Sequence, residues 1–172
     1  MSRPRPDSRK YWLDLALFYC SKRETSRTRL RAYFLRKIRE YKIPGEDIPR
    51  NLEWIDSVLD QCEENKVIDH ERYAGILHRD LERRGKGRRY VEQKLKERGL
   101  AGELPKLEFS REDELERARA LARKTLESSR IRKLTDPRQI RSKVLQKLVS
   151  SGFDLATAKQ ATEQALSPQS PE

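Results

Sequence analysis

An all-α fold of tandem three-helix repeats is predicted by three features of this 172-residue sequence. Large apolar residues recur at spacings of three and four almost throughout, which gathers them on one stripe of a helix. No stretch alternates with period two for long enough to make a strand. The octamer Gln93-Lys-Leu-Lys-Glu-Arg-Gly-Leu100 returns as Gln146-Lys-Leu-Val-Ser-Ser-Gly-Phe153, a shift of 53 residues. A fixed shift of this kind is the mark of a repeated unit. With 35% hydrophobic and 39% charged residues, each unit has a thin core. About nine helices in an elongated, modular arrangement are expected.

Residues 1–9 carry two prolines and no apolar period, and read as a mobile basic arm. The first helix follows, with Tyr11, Leu15 and Phe18 on one stripe and Trp12, Ala16 and Tyr19 on the next. Thr25 or Ser26 can cap the second helix, whose apolar stripe is Leu30, Phe34 and Ile38. Ile43-Pro44-Gly45 ends it, because proline cannot continue a helix and glycine favours a turn. The third helix opens at Pro49 and carries Leu52, Ile55, Leu59 and Cys62. Asp69 caps a fourth, with Tyr73, Leu77 and Leu81 on one face.

Gly85-Lys86-Gly87 breaks that helix. A short fifth carries Val91 and Leu95 and closes at Gly99, as a left-handed C-cap requires. Gly102 and Pro105 leave one turn at most between Leu100 and Phe109. Ser110 opens the next helix in a capping-box pattern, with Leu115, Ala118, Leu121, Ala122 and Leu126 inward. Asp136-Pro137 is a cap and a first-turn proline for a helix with Ile140, Val144 and Leu148, closed by Gly152. Asp154 caps the last helix, which turns Ala158, Ala161 and Ala165 inward. The expected organisation is an arm at 1–9, three-helix repeats at 10–66, 67–107 and 108–166, and a polar tail at 167–172. The third helix of the middle repeat is short or absent.

Lysine and arginine number 39 against 28 acids, a formal charge of +11. No apolar run approaches the ~20 residues of a membrane span, and the basic start has no apolar core behind it, so it does not read as a secretory signal. Cys20 and Cys62 lie 42 apart without a partner pattern, which suits a reducing cytoplasm. The signs of charge are segregated. Residues 21–43 hold nine basic side chains against two acids, 78–98 nine against four, and 123–147 nine against two. Residues 45–71 reverse this, with nine acids against Arg50 and Lys66. A solvated helix face usually mixes both signs, so segregation points to three equivalent basic faces suited to phosphates.

No catalytic constellation accompanies this charge. His70 and His78, eight apart on one predicted helix, match no zinc spacing and read as surface histidines. Gly85-Lys86-Gly87-Arg88 lacks the phosphate-loop pattern and any strand before it. Cys62 falls on an apolar stripe and reads as a core thiol. The protein is therefore expected to be no enzyme, and to need no metal or cofactor. Tyr19, Tyr33, Tyr41, Tyr73 and Tyr90 interleave with the basic segments, where tyrosine either stacks on bases or half-buries in thin helix pairs.

Four motifs in order resemble the bacterial RecX regulatory proteins. Ser21-Lys-Arg-Glu-Thr-Ser-Arg-Thr-Arg-Leu30 is similar to the family's S-x-R-E-x-S-x-x-E-L, and Val67-Ile-Asp-His-Glu-Arg-Tyr-Ala74 to L-x-D-D-x-R-[FY]-A. Arg83-Arg-Gly-Lys-Gly-Arg88, with Leu95 and Arg98-Gly99-Leu100, resembles K-G-x-x-x-I…L…K-G-I. Ala118-Arg-Ala-Leu-Ala-Arg-Lys124 and Gln146-Lys-Leu…Gly152-Phe153 resemble A-x-x-L-A-x-K and F-L-x-x-R-G-F. Arg29 replaces an acid of the pattern, His70 its second Asp, and Ser150-Ser151 stand before Gly152-Phe153.

The resemblance implies three three-helix repeats and a non-enzymatic, cytoplasmic regulator of the RecA recombinase. Such a protein binds RecA and the RecA–single-stranded-DNA filament and restrains ATP hydrolysis and strand exchange in recombination, DNA repair and the SOS response. A monomer is expected, and double-stranded DNA stays open as a second DNA partner. On this basis Arg27, Arg31, Arg83, Arg84, Lys86, Arg88, Arg89, Lys94, Arg98, Arg141 and Lys143 are the candidate contacts to DNA phosphates or acidic filament groups. The acidic 45–71 segment is expected to face a basic RecA surface or an adjoining repeat. The alternatives are a general nucleic-acid-binding helical module, on DNA or structured RNA without RecA specificity, and a scaffold for an acidic protein.

Overall fold

A computed structural model describes residues 6–167 and is all-helical over them. Nine α-helices run in order among the described residues: α1 Arg9–Lys22, α2 Arg27–Glu40, α3 Ile48–Glu64, α4 His70–Arg83, α5 Arg88–Glu97, α6 Arg111–Leu126, α7 Ser129–Arg132, α8 Pro137–Ser150 and α9 Leu155–Leu166. Short 3-10 segments precede α3 (Gly45–Asp47) and follow α5 (Ala101–Lys106). Of the expected arm and tail, residues 1–5 and 168–172 lie outside the described residues. Ser8 accepts the Tyr11 amide as the N-cap of α1, and Arg9 donates to Ser57 Oγ and Gln61 Oε1 at 3.0 and 2.6 Å.

The helices start where side-chain oxygens satisfy free amides. Ser26, Ser110, Asp136 and Asp154 accept the N–H of Arg29, Asp113, Arg138 and Thr157, and Asp69 accepts that of Arg72 at 2.9 Å. Each such cap stabilises its helix by about 1 kcal/mol. The chain divides into two compact units. The first holds the described residues to Ala74 together with Glu97–Glu103, and the second holds Gly75–Lys96 and the described residues from Leu104.

In the first unit α1, α2 and α3 close over Trp12, Ala16, Leu30, Phe34, Ile38, Ile55, Val58, Leu59 and Cys62. Trp12 is fully buried and meets Phe34 edge to face at 5.2 Å. Its indole N–H donates to Asn51 Oδ1 at 2.9 Å, so the polar end of the ring carries no desolvation penalty. Tyr11, Leu15 and Phe18 were expected to share the burial of α1, but Phe18 is 64% exposed and the Trp12–Ala16 stripe alone reaches the centre.

In the second unit α6, α8 and α9 bury Ala118, Ala122, Val144, Leu148, Phe153, Ala158 and Ala161. Alanines on the facing stripes of α6 and α9 replace bulk with close approach, and these two helices share the most extensive packing of the unit. Two local expectations need correction. The segment after Leu100 makes a six-residue 3-10 run, longer than one turn, because Pro105 fits the tighter helix near its end. The four residues of α7, with Ile131 buried, had no apolar period of their own to announce them.

Candidate nucleic-acid interface

The candidate residues differ in how far their charge is already spent. In the first unit the basic face of α2 meets the acidic face of α3. Arg27 Nη1 lies 2.7 Å from both Asp60 Oδ1 and Glu63 Oε2, and Arg31 Nε lies 3.1 Å from Asp56 Oδ1. Burial works against the Arg27 charge, but hydrogen bonds to Asp60 and Glu63 outweigh it and raise the guanidinium's affinity for its proton. The acidic segment, expected to face RecA or an adjoining repeat, thus has these partners inside its own helix trio. Spacings of four along α2 and of four and three along α3 bring the groups opposite each other.

Of the two histidines expected at the surface, His78 is buried and His70 is partly exposed. His70 is half-buried, and its Nε2 accepts the Arg27 amide at 3.2 Å. His78 is buried at the second unit's end of α4, 4.7 Å from the Phe109 ring and 3.4 Å from Glu82 Oε1. Four residues after Ala74 and three before Leu81, His78 lies on the buried stripe of α4 rather than beside it.

Arg98 is held in place within the first unit. Its Nη1 donates to the Tyr73 hydroxyl at 2.7 Å, and its carbonyl accepts the Ser26 hydroxyl. Burial pushes the Tyr73 phenol up, while Arg29 nearby pulls it down in part. In the second unit Arg83 and Arg84 are mostly exposed, 3.8 and 2.9 Å from the carboxylate of Asp80. Lys86 and Lys94 converge on Tyr90, with their Nζ atoms 4.6 and 5.5 Å from the ring centroid. Arg141 pairs with Glu163 at 2.7 Å, and Lys143 is exposed on the same helix.

Arg88 and Arg89 stand at the start of α5. The Arg88 guanidinium lies 4.8 Å over Phe109 and its Nε 2.7 Å from Glu92 Oε1. The backbone N–H of Arg88 donates to the buried Glu114 at 2.8 Å, so a carboxylate from α6 caps α5. These residues border a cavity of about 450 Å³ whose lining balances Arg88, Arg89 and Arg111 against Glu92, Glu114 and Asp154. Equal numbers of both signs give that cavity no preference for an anion.

One group was missed in the sequence. Tyr19, Arg29, Ala32, Tyr33 and Arg36 line a shallow groove of about 220 Å³ on the first unit, and no carboxylate is among them. The signal was present as spacing: Arg29, Tyr33 and Arg36 fall on one face of α2, separate from Arg27 and Arg31.

No family model matches the chain. Its sequence is 27% identical over 103 residues to the regulatory protein RecX of Myxococcus xanthus (strain DK1622), covering 59% of this chain and 55% of that protein. The match thus spans about half the length of that curated relative. A crystal structure of a regulatory protein RecX superimposes with a TM-score of 0.68 at 21% identity, over 90% of this chain and 71% of that one. RecX from Lactobacillus salivarius gives a TM-score of 0.69 at 18% identity, over 94% and 98% of the two chains. The ordered motifs, the similar sequence and the shared all-helical fold agree in one likeness: the chain is similar to RecX regulatory proteins.

Proposed function

We propose that the protein is a non-enzymatic regulator of the RecA recombinase that binds the RecA–single-stranded-DNA filament through basic helical surfaces. The observation that carries this reading is the cationic rim where α4 gives way to α5, formed by the exposed Arg83, Arg84 and Arg89 with the half-buried Lys86 between them. Arg27 meets two carboxylates and Arg31 one at 3.1 Å, whereas Arg83 and Arg84 share the single carboxylate of Asp80, so phosphates gain more from this rim. Arg141, Lys143 and Lys94 extend the same chemistry. Binding of this kind, repeated over several helix faces, restrains ATP hydrolysis and strand exchange without any catalytic group, in recombination, DNA repair and the SOS response. The cytoplasm, where RecA works, is the compartment this reading requires. Among the described residues no helix is long and apolar enough to cross a membrane.

The test is ATP hydrolysis by RecA filaments on single-stranded DNA, with the protein titrated below one copy per RecA at near-physiological salt. Inhibition that survives an excess of DNA is the expected result. No effect, or one that extra DNA abolishes, would leave the second reading. That reading is a helical module binding nucleic acid in general, favoured by the pairing of cations with tyrosine rings at Tyr33 and Tyr90.

A further inference from the structure

Two faces of α2 carry arginine, and they are not equivalent. Arg27 and Arg31 are neutralised by α3. Arg29 and Arg36 instead flank Tyr33 and the exposed Ala32, whose short side chain leaves the space between them open. Tyr19 of α1 completes the groove, its ring 4.6 Å from that of Tyr33 and tilted by 36°. Arginine covers both rings: the Arg23 guanidinium is 5.2 Å from the Tyr19 centroid and that of Arg36 is 5.3 Å from the Tyr33 centroid. The acid nearest to Arg36 in the helix is Glu40, 3.4 Å from its Nε and also 2.6 Å from Lys37, one turn beyond the lining.

We infer that this groove seats an unpaired base of single-stranded DNA, with Tyr19 and Tyr33 as the stacking platform and Arg29 and Arg36 on the flanking phosphates. The inference rests on the reading above that a DNA strand is part of the target, and it names the face of the first unit that meets the strand. Every base has a π face, so an aromatic platform binds single strands without reading their sequence. A guanidinium held over a ring offers a second flat, cationic surface on which a base stacks. Paired rings serve this ligand specifically. Tyr19 and Tyr33 pack in part against the core of the first unit; an acidic peptide would satisfy the arginines without using the rings, and duplex DNA keeps its bases stacked on each other.

The experiment compares a fluorescent oligo-dT with an abasic phosphodiester strand of equal length, each bound to the full chain without RecA at matched salt. The intact protein is expected to bind oligo-dT about tenfold more tightly, since one stacked base contributes a factor of this order. Tyr33→Leu should remove most of that ratio by weakening oligo-dT alone, whereas Tyr33→Phe should keep it. Arg36→Ala, at an exposed position that folding does not depend on, should weaken both strands by several-fold. Equal affinity of the intact protein for the two strands overturns the inference. So does a ratio that survives Tyr33→Leu in a protein of unchanged helicity, or an Arg36→Ala variant that binds both strands as the intact protein does. The RecA assay fails separately: a tenfold ratio without any effect on RecA leaves the groove standing and removes only the regulatory reading. RecA inhibition with no preference for oligo-dT does the reverse.

Discussion

Gly99 lies against Thr28, so close that a Cβ on the glycine would overlap the threonine hydroxyl and Cβ. Gly152 stands in the same relation to Tyr90, where the overlap would fall on the backbone nitrogen and Cα as well as the side-chain Cβ. Both glycines have positive φ, +72° and +93°. Each is the seventh residue of one copy of the repeated octamer, and each seats that copy's loop on the start of an earlier helix, α2 in one case and α5 in the other. The Arg98 carbonyl accepts from Ser26, and the Ser151 and Gly152 carbonyls accept from the amides of Gly87 and Arg89, at 3.0 Å each for the latter two. The sequence repeat is thus a repeat of packing.

Gly152→Ala should therefore destabilise the fold by about 3 kcal/mol, the sum of a strained backbone and an overlap that only a backbone shift relieves. Gly99→Ala should cost less, because the group it meets is a side chain. Trimming Thr28 to Ala should recover part of that loss, giving a non-additive pair in a double-mutant cycle. Urea denaturation reads the intact protein and all four variants. Equal costs at Gly99 and Gly152, with simple additivity at Thr28, would contradict this account of the two junctions.

Acid should loosen the caps of α4 and α9. Hydrogen bonds from the Thr157 hydroxyl and amide hold the Asp154 carboxyl below its usual range, and the Arg72 amide does the same for Asp69. A carboxyl lowered on folding contributes stability that is complete above its unfolded value of about 3.9. That contribution disappears as pH falls through the lower folded value. Asp154→Ala should cost about 1 kcal/mol at pH 7. The gap between variant and intact protein should narrow steadily below about pH 4. Urea midpoints at several pH values check this, and a gap of constant size would show that ionisation of Asp154 is not involved.

What could be read in advance followed a physical division. Caps at Ser26, Asp69, Ser110, Asp136 and Asp154 were legible because a short polar side chain acts on an amide two or three residues away. Helices α2 through α6, α8 and α9 were legible because a single apolar stripe determines their inward face. The stripe of α1 was ambiguous: it is apolar on two adjacent faces, so tertiary packing decided for Trp12 and left Phe18 outside. The contacts of Arg27 with Asp60 and Glu63 span 33 and 36 residues, and charge counts alone do not say which opposite charges meet. The polar chemistry of His78 points to the surface, whereas its position between Ala74 and Leu81 places it on the buried stripe of α4. The Tyr19–Tyr33 groove needs two helices side by side, which a one-dimensional pattern shows only as interleaved tyrosine and arginine.

The same distinction between spent and available charge sets how salt should act on DNA binding. Replacing Arg88 and Arg89 together by Ala removes two cations at the start of α5 that share one paired carboxylate, Glu92 beside Arg88, against three acids at Arg27 and Arg31. If both meet phosphates, the slope of log affinity against log salt on single strands should fall by about 0.7 for each. Arg27→Ala with Arg31→Ala should change it less. A phosphate must first displace Asp60, Glu63 or Asp56 there, and each displaced carboxylate takes back much of the gain. Their loss should instead leave three acids of α3 without these partners, which adds repulsion for any strand nearby and costs at most about 1 kcal/mol of stability per exposed pair. Titrations from low to physiological salt compare the two double variants directly. A larger slope change at Arg27 and Arg31 than at Arg88 and Arg89 would mean that the α2–α3 ion pairs open on binding, and that the acidic helix moves aside to admit the strand.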